Sequence, residues 1–251
     1  MKIAISGKGG VGKTLLSSLL SKIYVDSGRS VLAIDADPDA NLAANLGFPN
    51  PDDITPISDL DDVIEERTGA RPGQSAPFFK LNPKVDDLPD ALSVKMGNIK
   101  LMRLGGVPKG GGGCICPEST LLKALVMHIV LARDEVVVLD MEAGIEHLGR
   151  ATAQAVDKLI IVVEPGRRSI DTAANIKKLA GEIRLENIAA VGNKIRSETD
   201  ERFLNEHLSG FEILGFLPYD DALIEADLKG ISPFDVNSPS KEQVEKMISR
   251  L

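Results

Sequence analysis

The sequence predicts an α/β protein with a doubly wound, mostly parallel sheet and helices on both of its faces. Short runs of apolar, often β-branched residues are separated by longer amphipathic segments, an alternation typical of strand–helix–strand units. Nearly continuous apolar strands suit a parallel sheet that is covered on both sides. The chain has 251 residues, of which 43% are hydrophobic, enough to bury a full core.

The predicted strands are the six apolar runs that recur along the chain. They are Lys2–Ser6, Val31–Ile34, Val136–Leu139, Leu159–Val163, Ile188–Val191 and Ile213–Leu217. Residues 14–27 form the clearest helix, because leucines repeat along one stripe and Gly28 supplies a stop signal. Residues 118–133 and 169–184 are also long and amphipathic, and they predict two further helices.

Two stretches interrupt this alternation within a predicted single domain of residues 1–251. Residues 49–92 are rich in Pro and Asp, which predicts an irregular excursion with one short helix near Leu60–Arg67. Residues 105–117 hold a glycine-rich run that leads into Cys114, Ile115 and Cys116. This loop is a candidate metal loop.

Composition limits the compartment and the partners. The chain has a formal charge of −8, which counts against bulk binding to nucleic acid. No apolar run reaches the roughly 18 residues of a membrane span, and Lys2–Ser6 is too short for a signal peptide. Two cysteines are too few to stabilise a secreted domain of this size through disulfide bonds, so we expect a reducing, cytoplasmic setting.

The strongest motif is the octet Gly7–Thr14, which reads GKGGVGKT and fits the phosphate-loop pattern G-x-x-x-x-G-K-[ST]. It directly follows a predicted strand and opens a helix, as this motif requires. Lys13 is expected to reach the β- and γ-phosphates, and the Thr14 hydroxyl to join the Mg²⁺ shell. The residues whose backbone is expected to cradle the phosphates are Gly9, Gly10, Val11 and Gly12.

The same octet contains G-x-G-x-x-G, the pattern of a dinucleotide site. Asp35 and Asp37 stand near the end of the second strand, where such a fold places its ribose acid. The pyrophosphate of a dinucleotide, however, does not require a lysine and a hydroxyl such as Lys13 and Thr14 for binding. The sequence therefore favours a nucleoside triphosphate over a hydride-transfer cofactor.

Lys8 is a second lysine inside the loop, and it makes the octet resemble the deviant phosphate loop of the MinD/ParA ATPase family. The resemblance implies that the cofactors are ATP and Mg²⁺. It also implies a homodimer formed when ATP is bound, in which Lys8 reaches the nucleotide of the partner.

The resemblance continues in the two expected switch segments. It places a water-positioning aspartate at Asp37, with Asp39 as a neighbouring alternative, and a Mg²⁺-linked aspartate at Asp140. Gly144 is implied as a donor to the γ-phosphate. Met141 and Glu142 depart from the commoner family pattern, and Glu142 is a further candidate carboxylate.

Later segments are similar to those that surround the base in this family. Asn193 follows a strand where the family recognises adenine, and Pro218 lies in the segment implied to close over the base. The last turns carry an apolar stripe whose opposite face lacks a basic excess, so we expect a helix docked on the core and no membrane binding. Dispersed basic residues likewise predict no nucleic-acid partner.

Cys114 and Cys116 supply two soft thiolate donors per chain, suited to Ni or Zn, whereas such sites generally need four. A two-fold axis through the loop unites four thiolates, and the implied ATP-bound dimer provides one. Two alternatives remain open: a pair of buried apolar side chains and a redox dithiol.

A deviant phosphate loop together with Cys-x-Cys on an acidic chain resembles the CooC-type accessory ATPases. That resemblance implies an ATP-hydrolysing metallochaperone that assists nickel insertion into carbon monoxide dehydrogenase or a related nickel enzyme. An iron–sulfur cluster carrier and a MinD/ParA-like positioning ATPase are the alternatives.

Overall fold

The computed structural model describes residues 1–73, 78–105, 116–145, 148, 150–153 and 155–251. One eight-stranded sheet runs through the described part of the chain, in the order β3-β4-β2-β5-β1-β6-β7-β8. The strands are β1 (Lys2–Gly7), β2 (Val31–Ala36), β3 (Val94–Met96), β4 (Ile99–Arg103), β5 (Val136–Met141), β6 (Lys158–Val163), β7 (Ile188–Ile195) and β8 (Glu212–Pro218). All neighbouring strands are parallel except β3 and β4. The predicted fold class is confirmed.

Helices cover both faces of the sheet. The described helices are α1 (Lys13–Asp26), α2 (Leu42–Asn45), α3 (Asp61–Thr68), α4 (Leu88–Leu92), α5 (Pro117–Ala132), α6 (Arg150–Ala153), α7 (Arg167–Glu182), α8 (Glu198–His207), α9 (Asp221–Leu228) and α10 (Pro239–Ile248). Short 3₁₀ turns occur at Pro51–Asp53, Ile57–Asp59 and Pro233–Asp235. None of these described helices combines the length and apolar character that a bilayer crossing requires.

The side-chain alternation of β1 shows how the two faces are built. Ile3 and Ile5 point to the core beneath α1 and α10, whereas Ala4 belongs to the core beneath α5 and α7. Leu16 and Leu20 of α1 are 1% exposed on the first of these faces. Each fully buried aliphatic side chain of this kind contributes about 1.5–3 kcal/mol. Packing on both faces therefore fixes β1 rigidly in the middle of the sheet.

The C-terminal helix α10 lies against the core, as its apolar stripe predicts. Val244 is fully buried and Met247 is 3% exposed, and both join the cluster that contains α1. A Cβ added to Gly215 of β8 would lie 2.7 Å from the Met247 Cε atom. This close approach shows how tightly α10 packs on β8.

The hairpin β3–β4 is the part of the sheet that the strand prediction missed. Its residues mix lysine and arginine with apolar side chains, so the apolar runs are short and broken. A signal was present in Gly97 and Asn98, because a two-residue Gly-Asn loop is typical of hairpins. Gly97 has a φ of 56°, which glycine adopts without strain. The predicted irregular excursion before this hairpin contains α3, at the position of the predicted short helix, and also α4.

Candidate nucleotide site

The phosphate loop lies at the carboxyl end of β1, in the middle of the sheet. Because β1 pairs with β5 on one side and β6 on the other, the loop is flanked by the residues that end those strands. Gly10 and Gly12 adopt φ angles of 78° and 95°, and Lys13 begins α1 directly afterwards. Lys13 is 6% exposed, and its Nζ lies 3.8 Å from Asp37 Oδ2. The structure thus brings Lys13 and Asp37, predicted from separate motifs, into one site.

Gly12 is constrained by Asn193 as well as by its backbone angle. The Asn193 amide Nδ2 donates to the Val11 carbonyl over 2.7 Å, and a Cβ on Gly12 would lie 2.2 Å from that nitrogen. The Asn193 Oδ1 accepts from the Lys194 N–H, so both ends of the amide are bonded to backbone. Recognition of a base edge by this side chain would therefore require these bonds to be exchanged.

We expect Gly12→Ala to weaken ATP binding at least about tenfold and to destabilise the protein by about 1–3 kcal/mol, because it combines left-handed strain with a clash. Isothermal titration with ATP and thermal denaturation measure the two effects. Gly9→Ala is the matched control for stability, since a Cβ there meets no atom within 4 Å. Wild-type ATP affinity in Gly12→Ala would contradict this role of Gly12.

A cavity of about 770 Å³ extends from the phosphate loop towards β8 and α9. Gly9, Lys13 and Thr14 line its polar end, and Pro218 with Leu223 lines the other end. Its size is within the range of about 300–1,000 Å³ found for small-molecule sites. The arrangement suits a ligand with phosphates at one end and an aromatic base at the other.

Two buried carboxylates stand beside the loop at the ends of β2 and β5. Asp140 is fully buried, accepts a 3.0 Å hydrogen bond from the Ser17 hydroxyl at Oδ1, and has no partner for Oδ2 within the described part of the chain. Burial, helped by the charge of Asp35, raises the Asp140 pKa to about 7 against the opposing effect of the Thr14 and Ser17 hydroxyls and Lys13. Burial likewise raises the pKa of Asp35 to about 6. Burial therefore disfavours the negative charge of both carboxylates.

The Lys8 side chain is bound by a carboxylate of the same chain, which follows β6. Its Nζ donates to Glu164 Oε1 over 3.0 Å, and Glu164 Oε2 lies 3.4 Å from the Nζ of Lys194. Lys194 in turn donates to the Gly10 carbonyl over 2.6 Å. Burial acts to raise the Glu164 pKa, but the two lysines outweigh it and hold that pKa below its usual value. The sequence motifs predict no role for Glu164 or Lys194.

The family model for the CobQ/CobB/MinD/ParA nucleotide-binding domain matches residues 2–234. The chain belongs to this family. It is 46% identical over 252 residues to an uncharacterised ATP-binding protein of Methanocaldococcus jannaschii, covering 99% of this chain and 96% of that one. It is 43% identical over 253 residues to the carbon monoxide dehydrogenase accessory protein CooC of Rhodospirillum rubrum, covering 100% of this chain and 96% of that one.

Solved structures agree on the fold. The MinD cell division protein of Aquifex aeolicus superposes with a TM-score of 0.70 at 24% identity, covering 99% of this chain and 95% of that one. The family match and the similarity to CooC confirm the prediction of an ATPase of the MinD/ParA type. Family membership implies ATP and Mg²⁺ as cofactors.

The residues of this ATPase site fit Mg²⁺. The cation prefers oxygen ligands, retains several waters and joins only one or two protein groups to the nucleotide phosphates. Asp140 Oδ2, which has no hydrogen-bond partner among the described residues, and the neighbouring Thr14 hydroxyl are oxygens of that kind. Burial raises the Asp140 pKa because it disfavours the negative charge of this carboxylate, and a bound cation would offset that effect. Thr14 and Asp140 are therefore the residues that would hold it.

The second switch segment is tied to β1 by a residue that the sequence did not single out. The Ser6 hydroxyl lies 2.7 Å from the Gly144 carbonyl and 3.0 Å from the Glu142 carbonyl. Gly144 is buried beside the loop, and Glu142 is half-buried.

The two candidate water-positioning aspartates differ in exposure. Asp39 is exposed, and its N–H donates to Asp37 Oδ1. The structure thus gives Asp37 a more enclosed position than Asp39.

The predicted metal loop is only partly within the described residues. Cys116 is half-buried and immediately precedes α5, whereas Cys114 and most of the loop 105–117 lie outside the described part. Within the described residues, no cluster of three or more His, Cys, Asp or Glu side chains is arranged for a metal ion. Metal binding by the cysteines therefore stays a prediction.

Proposed function

We propose that this ATPase dimerises on ATP, holds one Ni or Zn ion between its subunits, and assists nickel insertion into carbon monoxide dehydrogenase or a related nickel enzyme. The observation that carries the proposal is the 43% identity to CooC of Rhodospirillum rubrum over the whole chain. The nucleotide site adds support, because Lys8 and Lys13 occupy one phosphate loop beside Asp37 and Asp140.

Each residue of the site has a definite task in ATP hydrolysis. Lys13, almost fully buried at the start of α1, neutralises the β- and γ-phosphates together with the loop N–H groups. Asp37 faces Lys13 and orients the attacking water. When bound, Mg²⁺ would neutralise charge on the phosphates, and Thr14 and Asp140 would hold it. Lys8 is the cross-subunit lysine and acts only in the dimer.

The cargo metal is coupled to this reaction through the dimer. Each chain brings Cys114 and Cys116, so the two-fold axis of an ATP-bound dimer gathers four thiolates, the donor number of a closed tetrahedral site. ATP shifts the monomer–dimer equilibrium by its differential affinity for the closed state. Hydrolysis removes that difference, separates the two pairs of thiolates and releases the metal to the client enzyme.

Nickel activation of metal-free carbon monoxide dehydrogenase tests this function directly. We expect activation to require this protein, ATP and Ni²⁺ together. Asp37→Asn is expected to retain ATP binding, lose about 100-fold or more in turnover and fail to activate the client, because the attacking water is no longer oriented. Asp39→Asn is the matched control and should hydrolyse ATP normally.

Two results would contradict parts of the proposed function. Equal activation by Ni²⁺ with and without this protein would exclude the maturation role. Normal turnover by Asp37→Asn, with loss in Asp39→Asn, would move the water-positioning role to Asp39.

A further inference from the structure

The environment of Lys8 contains a conflict with its proposed role. If Lys8 reaches the nucleotide of a second subunit, its ammonium group must first leave any carboxylate that binds it within its own subunit. Here the Lys8 Nζ is already bound by Glu164 Oε1 at 3.0 Å, in a half-buried ion pair in which the two side chains are 36% and 25% exposed. Dimerisation therefore has to break this intramolecular pair.

Glu164 is fixed in place by its own backbone. It follows β6 directly, and its N–H donates over 3.1 Å to the hydroxyl of Ser169, which is buried in the first turn of α7. The backbone of Glu164 is therefore held at the carboxyl end of β6 by a bond that does not involve Lys8.

Lys194 provides a second cation on the same carboxylate. It adopts a left-handed backbone angle, φ 59°, that non-glycine residues rarely take. Its Nζ lies 3.4 Å from Glu164 Oε2 and donates to the Gly10 carbonyl of the phosphate loop. Glu164 therefore keeps a counter-ion when Lys8 departs, so breaking the Lys8 pair does not leave a half-buried carboxylate unpaired.

We propose that Glu164 is a positioning residue that holds Lys8 in its own subunit, and that Lys194 keeps Glu164 paired when Lys8 crosses to the nucleotide of the partner subunit. This inference rests on the proposed cross-subunit role of Lys8. Its consequence is regulatory, because the strength of the Glu164 pair sets how readily the ATP-bound chains associate.

The proposal predicts opposite effects for removing the charge of the shared carboxylate, Glu164, and for removing its second cation, Lys194. Glu164→Gln removes the competitor for Lys8, so the ATP-bound dimer should form about two- to fivefold more tightly, the range of a partly exposed ion pair. Lys194→Met leaves Glu164 dependent on Lys8 and should weaken the dimer by a similar factor. In the double variant Glu164→Gln/Lys194→Met, the effect of Lys194→Met should disappear, because Glu164 no longer carries charge.

Lys8 can also be probed in the nucleotide-free monomer, where the dimer plays no part. Acetylation by N-hydroxysuccinimide acetate, followed by mass spectrometry of the Lys8 peptide, reports how accessible and nucleophilic the amine is. We expect Glu164→Gln to label about two- to fivefold faster at Lys8 than wild type, with Lys241 on α10 unchanged as an internal reference. A purely structural defect would alter both lysines.

The two experiments together separate failure of this inference from failure of the proposed function. Unchanged labelling of Lys8, or a weaker ATP-bound dimer in Glu164→Gln, would overturn the role of Glu164 even if wild type dimerises. Weakening by Lys194→Met in both backgrounds would show that Lys194 acts on nucleotide binding instead. Absence of any ATP-dependent dimer in wild type, with faster Lys8 labelling in Glu164→Gln, would refute the cross-subunit function and leave the intramolecular pair intact.

Discussion

Lys8→Ala is expected to abolish the ATP-dependent dimer, with a loss in dimer affinity of about 100-fold or more. A lysine that contacts the phosphates of a partner is desolvated at the interface, and removal of such a charged partner typically costs about 2–5 kcal/mol. ATP binding to the single chain should persist, because Lys13 and the loop backbone belong to the same subunit as the nucleotide. Light scattering with ATP, at a series of protein concentrations, measures the effect.

The matched control for Lys8→Ala is Lys22→Ala. It removes a lysine from the surface of α1 whose Nζ lies 3.7 Å from Asp26 Oδ1. Adding the Asp37→Asn change to both variants and to wild type prevents ATP consumption during the measurement. A dimer of wild-type affinity in the Lys8→Ala protein would show that Lys8 does not act across the interface.

Replacing Cys114 and Cys116 by alanine is expected to remove the bound metal, from about one ion per ATP-loaded dimer to near zero, since no thiolate ligands remain. Metal content is measured by plasma mass spectrometry after incubation with Ni²⁺ or Zn²⁺. The ATP-dependent dimer should still form, because neither cysteine belongs to the nucleotide site. Unchanged metal content would exclude the four-thiolate site.

Lys8→Ala is a second, independent test of the same metal site. The Lys8→Ala protein retains both cysteines but is expected to form no dimer, so it should also lose the shared metal.

Anaerobic reconstitution of wild type with iron and sulfide tests the alternative that the protein is an iron–sulfur cluster carrier. A stable visible absorption band that disappears in the double cysteine variant would favour that alternative over Ni or Zn.

The fold was predictable because parallel strands buried on both faces leave contiguous apolar runs. β1 and β5 are of this kind, and the phosphate loop between β1 and α1 is itself one contiguous motif. β3 and β4 were missed because, at the edge of the sheet, lysine and arginine alternate with apolar residues. There the Gly97–Asn98 turn was the more informative signal.

The site was predictable only where its residues belong to motifs. Glu164 lies 156 positions from Lys8 in the chain, and Ser6 lies 138 positions from Gly144, so no local pattern links either pair. Their contacts arise because β1, β5 and β6 are neighbours in the sheet. Asn193 was predicted at the site, but its bond to the Val11 carbonyl depends on tertiary packing that the sequence does not reveal.

In the proposed function, ATP and the metal are linked through one dimer. Native mass spectrometry of wild type, with Ni²⁺ or Zn²⁺ present and with or without ATP, tests it most directly by reporting mass and metal content together. We expect an ATP-loaded species of twice the 26.8 kDa chain mass that carries one metal ion, and loss of that species when ATP is omitted. One metal ion on each single chain regardless of ATP, or an ATP-loaded dimer without metal, would contradict it.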